Sequence, residues 1–485
     1  MKKLTFTLLG VGVILIGCGG SSNNNQKANS SNNSNQPPVL EKRVSKISAG
    51  WYHTCAVVAK GNTTNVKCWG DNSYGELGDG TTTNSTTPVT VIKENGTPLS
   101  DIKDISASRY YTCALTNSGN VWCWGYNEGG KLGDGKLDKT LGGTLNQYLQ
   151  QFIPFDDEKQ SLYPVKVLTD KNIALNSVFQ ISAGSWHSCA LLKNKTVKCW
   201  GQNFDGALGI GLDPNSFNYN NAQNDINEFK KLFWPYAINV VESNNSQTPL
   251  SNVKQIAAGS SDHTCALLND GKVRCWAWNG GSEGQLGIDD LNTTFAVAPA
   301  DYVKDENGVL SNVKEISAGG DFTCALLNSG KVKCWGWNSK GQIGDKTTNN
   351  ASHAVAVKDG NGNDLVNVKA IFSERGNHTC ALKHNEEMVC WGDNTHGQLG
   401  IGSSGKYVNY AIKVNTSNIE GNITSIAVGG GGRDPLSNAI VQYNGDHTCV
   451  LTDKGKVYCW GSNNKGQLGD GTTEDKNLPV EVEGL

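Results

Sequence analysis

The sequence predicts an all-β fold built from seven copies of one unit, and three observations lead to this prediction. Fourteen of the fifteen cysteines form seven pairs, the second cysteine of each pair directly precedes a Trp, and a Gly-rich turn of the form G-x-L-G (once G-x-I-G) follows it. Short apolar runs alternate with turn residues throughout each unit, which is typical of strands. The unit recurs at a long interval, which indicates a propeller or another repeat fold.

The segment between the two cysteines of a unit predicts a β-hairpin. Between Cys265 and Cys275 an apolar run, the turn Asn269-Asp270-Gly271 and a polar–apolar alternation follow one another. A three-residue loop with Gly in the left-handed position sets the two cysteines directly opposite each other. Opposed residues on antiparallel strands have Cβ atoms close enough for a disulfide. The sequence therefore predicts one disulfide in each unit.

The predicted disulfides are Cys55–Cys68, Cys113–Cys123, Cys189–Cys199, Cys265–Cys275, Cys324–Cys334, Cys380–Cys390 and Cys449–Cys459. Zinc binding is the rival interpretation of paired cysteines, but zinc needs four converging ligands and each unit offers two. Disulfides persist in oxidising compartments, so the pairs indicate a location outside the cytoplasm.

A histidine lies two positions before the first cysteine in five units, at His53, His187, His263, His378 and His447. Tyr111 and Phe322 occupy the same position in the other two units. A position that accepts Phe serves packing, so we assign these histidines neither to catalysis nor to metal binding. No catalytic residue, metal site or cofactor is predicted anywhere in the chain.

The beginning of the chain resembles a bacterial lipoprotein signal. Lys2 and Lys3 precede a short apolar run that ends in Leu15-Ile16-Gly17-Cys18. A basic start and a short apolar core are typical of a secretory signal rather than a spanning helix. We expect residues 1–17 to be removed and Cys18 to be lipidated; the alternative is an ordinary signal peptide with a chance cysteine. The predicted location is the bacterial cell envelope, at the outer membrane or the cell surface.

Residues 18–43 are rich in Asn, Ser and Gln and predict a flexible tether, whereas residues 44–485 carry the repeats. The charges of the chain nearly balance, with 42 basic and 45 acidic residues. Because the sequence shows no basic stripe, nucleic acid is not an expected partner.

Each unit supplies four short strands. A P-V-x-V-like strand such as Pro88 to Val91 follows the Gly-rich turn, and a V-K-x-I-x-A-G strand such as Val253 to Gly259 follows that. The last unit stops after Val482 without its second strand, and the first begins at Val44 without a P-V-x-V strand. We therefore predict that the N- and C-terminal strands pair with each other and close a ring.

The full pattern, V-x-x-I-x-A-G-x-x-H-T-x-A-L-x-x-x-G-x-V-x-x-W-G-x-N-x-x-G-Q-L-G, resembles the regulator of chromosome condensation repeat. The resemblance covers nearly all of Val44 to Leu485 and implies a seven-bladed β-propeller. The cysteine pairs and the lipoprotein-like start depart from the nuclear archetype of that family.

Three long insertions are expected on one face of the disc, at Lys136–Tyr163, Leu212–Tyr236 and Gly430–Asp446, because connections alternate between the two faces. Long loops on a rigid scaffold often carry function. The first two insertions either pack on each other or on the disc, or they form an aromatic anchor for a partner. The candidate partner-binding residues are Tyr148, Phe152, Phe155, Phe229, Phe233 and Trp234.

These observations favour a monomeric, non-catalytic binding scaffold for an unknown protein or glycan, tethered to the envelope through its lipid anchor. Three alternatives remain open: an inhibitor of an envelope or secreted enzyme, a glycan-active enzyme, and a guanine nucleotide exchange factor like the archetype of the family. A membrane anchor outside the cytoplasm would separate an exchange factor from a cytosolic GTPase. A glycan-active enzyme would need paired carboxylates, which do not stand out from the repeats.

Overall fold

Each repeat folds into a four-stranded antiparallel sheet, and the sheets are arranged as the seven blades of a propeller. The computed structural model describes residues 42–138, 153, 155–156, 159–222, 225–244, 246–260, 262–280, 282–431 and 445–485. The predicted leader, Cys18 and the tether up to residue 41 lie outside the described residues. No helix in these ranges is long and apolar enough to cross a membrane.

The strands of each blade follow one another in the chain, and the blades are numbered 1 to 7 in the same order. Blade 1 comprises Lys42–Ala49, His53–Lys60, Thr63–Gly70 and Ser85–Thr90. Blade 2 comprises Ile102–Ala107, Tyr111–Thr116, Val121–Tyr126 and Gln160–Lys166. Blade 3 comprises Val178–Ala183, His187–Leu192, Val197–Gln202 and Phe233–Asn239. Blade 4 comprises Val253–Ala258, Thr264–Leu268, Val273–Trp278 and Phe295–Ala296. Blade 5 comprises Val313–Ala318, Phe322–Leu327, Val332–Gly336 and Ala351–Ala356. Blade 6 comprises Val368–Phe372, His378–Lys383, Met388–Gly392 and Val408–Lys413. Blade 7 comprises Ile423–Gly429, His447–Thr452, Val457–Gly461 and Lys476–Glu481.

The connections contain shorter elements. Two pairs of short strands are Leu137–Asp138 with Phe155–Asp156 and Leu168–Asp170 with Ile173–Ala174. The strands Lys304–Asp305 and Gly308–Val309 extend the sheet of blade 5. The helices within the described ranges are the 3₁₀ turns Glu128–Gly130, Phe204–Gly206 and Pro214–Ser216 and the α-helices Tyr219–Ala222 and Ile226–Lys230.

The predicted hairpin register and the seven disulfides are confirmed. Cys265 lies opposite Cys275, and the loop between them has Gly271 at φ +79°. The Cα atoms of the seven cysteine pairs are 4.0 to 4.1 Å apart. Each disulfide therefore joins the second and third strands of one blade.

The Trp after the second cysteine joins each blade to the one before it. Its indole Nε1 donates to the backbone oxygen of the residue at position x of the preceding G-x-L-G turn, for example from Trp391 to Gln342 at 2.9 Å. The same bond recurs around the ring from Trp69, Trp124, Trp200, Trp276, Trp335 and Trp460. The Trp and the Gly-rich turn are thus two halves of one interface between neighbouring blades.

The histidine position forms a second interface between blades. The imidazole Nε2 of each histidine lies 2.7 to 3.0 Å from a threonine Oγ1 of the next blade; the pairs are His53–Thr112, His187–Thr264, His263–Thr323, His378–Thr448 and His447–Thr54. All five histidines are fully buried. Their role is therefore packing and hydrogen bonding between blades, as the Phe in blade 5 suggested.

The first strand of every blade lines a narrow axial channel with a cavity of ≈ 190 Å³. Side chains of one blade satisfy amide groups on the inner edge of the next. The Ser48 hydroxyl accepts from Ala107 N at 3.0 Å, and Gln180 both donates to Ile256 O and accepts from Ile256 N. The backbone groups at these inner edges are thereby hydrogen-bonded without additional strands.

The predicted closure by pairing of the terminal strands is wrong. Lys42–Ala49 pairs with His53–Lys60 of blade 1, and Lys476–Glu481 pairs with Val457–Gly461 of blade 7. The ring instead closes by packing of blade 7 on blade 1, where Trp69 Nε1 donates to Gln467 O. Since each sheet is complete within one stretch of chain, no strand has to be shared between the termini.

Candidate functional site

The predicted common face for the insertions is confirmed by the strand order. In each blade the connection from the first to the second strand and the connection from the third to the fourth emerge at the same end of the sheet. We call this the insertion face, and we call the opposite side, which carries the turns between second and third strands, the hairpin face.

The two first insertions pack against each other. Leu137 and Ile153 of one loop share a buried apolar cluster with Phe229, Phe233 and further residues of the other. Phe229 and Phe233 are 0% and 6% exposed, and their rings meet edge to face at 4.3 Å. Their assignment to a partner-binding anchor is therefore wrong, because the cluster that holds the two loops together has already buried both rings.

The remaining candidates have different outcomes. Trp234 is half-buried in the fourth strand of blade 3, where Lys230 Nζ lies 4.7 Å from its ring centre. Phe155 begins the short strand that pairs with Leu137–Asp138. Tyr148 and Phe152 lie outside the described residues. Partner binding by Trp234, Tyr148, Phe152 and Phe155 therefore stays a prediction.

A cluster of four half-buried tyrosines lies on the insertion face of blades 1 and 2, and we call it the tyrosine patch. It consists of Tyr52, Tyr74, Tyr110 and Tyr126. The ring centre of Tyr74 lies 5.1 Å from that of Tyr110 and 4.5 Å from that of Tyr126. Tyr52 is joined to the others through Trp51, whose ring centre is 6.3 Å from Tyr52 and 6.4 Å from Tyr110.

Two buried basic side chains lie beneath the patch. The Arg109 guanidinium lies 4.2 Å from the ring centre of Trp51 and 4.9 Å from those of Tyr110 and Trp186. The Lys131 ammonium lies 4.6 Å from the ring centre of Tyr126 and 4.5 Å from that of Trp186. Such cation–π contacts gain strength when water is excluded, so the permanently charged Arg109 guanidinium fixes the rings around it in place.

Burial changes the ionisation of these groups. It lowers the pKa of Lys131 to about 7 and raises the pKa of Glu76 to about 8. It also raises the pKa of Tyr52 to about 12, with the neighbouring Tyr110 acting in the same direction. The Tyr52 hydroxyl therefore stays protonated at neutral pH and is able both to donate and to accept a hydrogen bond.

Arg375 closes the axial channel close to this face. Blade 6 has one residue more than blade 1 between its buried Ile and its His, and Arg375 in this longer connection has φ +65°. Its Nε donates to Ala183 O at 2.9 Å and its Nη2 to Ser106 Oγ at 2.6 Å, in blades 3 and 2. The side chain thus crosses the axis and separates the two ends of the channel.

The tyrosine patch is not among the residues predicted from the sequence. The sequence does carry a sign of the patch, in the residues that stand at positions varying between the repeats. Tyr52 and Tyr110 both precede the histidine position, and only the first two units carry tyrosine in or just before the turn that follows their Trp. Among the described residues no group of three or more His, Cys, Asp or Glu side chains is arranged to hold a metal ion.

Comparison with known proteins identifies the family. The model of the RCC1-like domain matches residues 165–485, and models of the regulator of chromosome condensation (RCC1) repeat match residues 44–76, 102–131, 66–115 and 118–191. The chain belongs to the RCC1-like domain family. This confirms the resemblance seen in the repeat pattern and agrees with the seven-bladed propeller of the structure.

Two relatives illustrate how widely this family varies. The chain is 26% identical over 449 residues to the ultraviolet-B receptor UVR8 of Arabidopsis thaliana, covering 92% of this chain and 82% of that protein. It is 28% identical over 310 residues to the human probable E3 ubiquitin-protein ligase HERC6, covering 63% of this chain but only 25% of the ligase. Most of the ligase therefore has no counterpart here.

Solved structures share the fold. Human WBSCR16 superimposes with a TM-score of 0.61 at 19% identity, covering 86% of this chain and 94% of that one. Prp20p of Saccharomyces cerevisiae, whose structure was described with its binding to Gsp1p and histones, gives a TM-score of 0.58 at 20% identity, covering 91% and 87%. By their names, UVR8 is a receptor and HERC6 a probable ubiquitin ligase, whereas the structure of Prp20p was described with its binding to Gsp1p and histones.

Proposed function

We propose that this protein is an envelope lipoprotein, anchored through Cys18, whose propeller is a non-catalytic scaffold that binds a protein partner through the tyrosine patch. The observation that carries this proposal is the patch itself. Tyr is among the residues that dominate the energetics of protein interfaces, and the patch presents four tyrosines on one rigid face. Its rings are ordered before binding, so a partner has little side-chain entropy to remove.

The cell-envelope location rests on two features. Seven disulfides close hairpins that are buried in the blades, which suits an oxidising compartment. The lipoprotein-like sequence that ends at Cys18 supplies the anchor. Mass spectrometry of the N-terminal peptide from the native host tests the anchor: we expect a diacylglyceryl-modified Cys18, and an unmodified or uncleaved terminus would contradict it.

The binding role is tested by substitution within the patch. The chain and its Tyr74→Ala/Tyr110→Ala variant are immobilised and exposed to envelope extract from the native host. Tyr407→Ala is the matched control, because Tyr407 is 46% exposed on the insertion face of blade 6, away from the patch. We expect a protein to be captured by the wild type and the control and lost by the patch variant. Capture that is unchanged in the patch variant would contradict the proposal.

The same experiment separates the inhibitor hypothesis from a general scaffold. If the captured protein is an envelope or secreted enzyme, its activity is measured with increasing amounts of the chain. Inhibition that the patch variant loses would identify the scaffold as an inhibitor.

A further inference from the structure

A β-bulge at the same place in every first strand creates a ring of exposed side chains on the hairpin face. Each register shift leaves one residue of the first strand unpaired. The unpaired residues are Ser45, Lys103, Phe179, Lys254, Lys314, Lys369 and Thr424, and all are exposed. Because the first strands line the axis, these residues surround the mouth of the axial channel on the hairpin face.

Four of the seven bulged residues are lysines, and we call Lys103, Lys254, Lys314 and Lys369 the basic ring. Three of the ammonium groups donate to the backbone oxygen of the bulged residue in the next blade: Lys103 to Phe179 at 3.4 Å, Lys254 to Lys314 at 3.1 Å and Lys314 to Lys369 at 3.0 Å. An ammonium has three donors, so each keeps two for another acceptor.

The basic ring makes few direct ion pairs. Within the described ranges no carboxylate forms an ion pair with Lys103, Lys254 or Lys314. Lys369 lies 3.4 Å from Glu386 Oε1, but both side chains are close to half exposed and such a pair is weak. Glu94 and Asp170 lie in the connections between blades, whereas Asp104 and Glu315 directly follow two of the lysines and interact electrostatically with Lys103, Lys254 and Lys314. Burial raises the pKa of both carboxyls, to about 7 for Glu315, which reduces the negative charge beside the ring.

An exposed aromatic residue completes the ring. Phe179 is 45% exposed, with the ammonium groups of Lys103 and Lys195 at 4.9 and 5.1 Å from its ring centre. Ile173, in the connection that enters the same blade, is 55% exposed. Apolar side chains framed by lysines are typical of surfaces that lie in the interface of an anionic bilayer.

The direction of the first strand adds an independent argument. Lys42 pairs with Lys60 beside the hairpin turn of blade 1, and Ala49 lies at the insertion face. The chain therefore enters the propeller at the hairpin face, the face that carries the basic ring.

We propose that the basic ring and Phe179 dock the hairpin face on an anionic lipid surface, which leaves the tyrosine patch pointing outward. The biological setting rests on the proposed envelope anchor, but the docking contact itself needs no acyl chain. The choice of a lipid surface follows from the chain direction and from the arrangement of the lysines, which surround a channel mouth.

The test uses the full-length chain with Cys18→Ser, so that no acyl chain contributes, and vesicles of phosphatidylcholine with or without phosphatidylglycerol. The ring variant is Lys103→Gln/Lys254→Gln/Lys314→Gln/Lys369→Gln. The matched control is Lys136→Gln/Lys340→Gln/Lys406→Gln/Lys465→Gln, which removes the same charge from connections on the insertion face. Co-sedimentation is measured at low and high salt, and unfolding transitions establish that all chains are folded.

We expect the wild-type chain to prefer anionic vesicles and the ring variant to lose that preference by up to roughly several hundredfold, because each of the four lysines near an anionic surface contributes on the order of fivefold. The control variant should retain it. Equal losses in both variants, or a wild type without preference for anionic vesicles, would overturn the proposal. Docking is independent of the mass measurement on Cys18 and of capture by the tyrosine patch, so each proposal can fail alone.

Discussion

At the scale of single residues, the buried histidines show how one side chain joins two blades. Thr448 Oγ1 donates its hydrogen to Gln398 O at 2.8 Å, so it accepts from His378 Nε2–H at 2.7 Å. Burial lowers the pKa of His378 to about 3, with His447 acting in the same direction. The histidine is therefore neutral in the folded protein over the whole physiological range.

His378→Phe is expected to change the pH dependence of stability. The folded pKa lies below the unfolded value of about 6.5, so the unfolded state binds a proton first and wild-type stability falls by up to about 1.4 kcal/mol per pH unit below that value. At pH 7 the variant should be less stable by about 1 kcal/mol for the lost hydrogen bond. Near pH 5 the order should reverse.

Urea unfolding of the two chains at pH 7 and pH 5 measures this effect. Buried carboxyl groups such as Glu76, whose pKa is raised, act in the opposite direction but are common to both chains and cancel in the difference. His384→Phe, at an exposed turn position, is the control. A stability difference that stays constant with pH for His378→Phe would contradict the prediction.

At the scale of elements, the hairpin is the unit that the repeats specify most strongly. Its three-residue loop needs a left-handed third residue, which is Gly271 at φ +79° in blade 4 but Lys195 at φ +69° in blade 3 and Glu386 at φ +64° in blade 6. The left-handed conformation costs a side-chain-bearing residue roughly 1–2 kcal/mol. Two hairpins are therefore strained at their turns.

Lys195→Gly should stabilise the protein by about 1 kcal/mol, because it removes this strain and loses only a half-buried side chain whose ammonium lies over Phe179. Gly271→Ala should destabilise it by a similar amount, and the two together form a matched pair. Thermal unfolding under non-reducing conditions measures both changes. A lower midpoint for Lys195→Gly would show that the contact of this lysine with Phe179 outweighs the backbone strain.

At the scale of the whole molecule, Arg375 links blades that are not neighbours. From blade 6 its side chain donates to residues of blades 2 and 3, and its backbone oxygen accepts from Ser260 Oγ of blade 4 at 2.9 Å. The guanidinium satisfies inward-facing polar groups at the end of the channel. It therefore stabilises the closed ring rather than any single blade.

Arg375→Ala should lower the free energy of unfolding by about 2–3 kcal/mol, because it leaves Ala183 O and Ser106 Oγ without their charged donor. Arg375→Lys should restore only part of the loss, since an ammonium lacks the forked geometry of the guanidinium. Urea unfolding is the measurement. A full rescue by lysine would show that charge, and not the set of directed hydrogen bonds, is what matters at the axis.

The sequence by itself determined the seven repeats, the hairpin register and the disulfide pairing. These features follow from turn chemistry and from the alternation of strand side chains within about ten residues of chain, so the residues around Cys265 and Cys275 were sufficient. The packing role of the histidine position was also accessible, because Phe322 and Tyr111 occupy it in other repeats.

Only the tertiary structure decided what the faces carry. The tyrosine patch depends on the angle between blades 1 and 2, the burial of Phe229 depends on a loop from another blade, and the reach of Arg375 depends on the width of the channel. The ring closure failed as a prediction for the same reason. Contacts between segments far apart in the chain depend on how whole blades pack, and a local pattern does not contain that information.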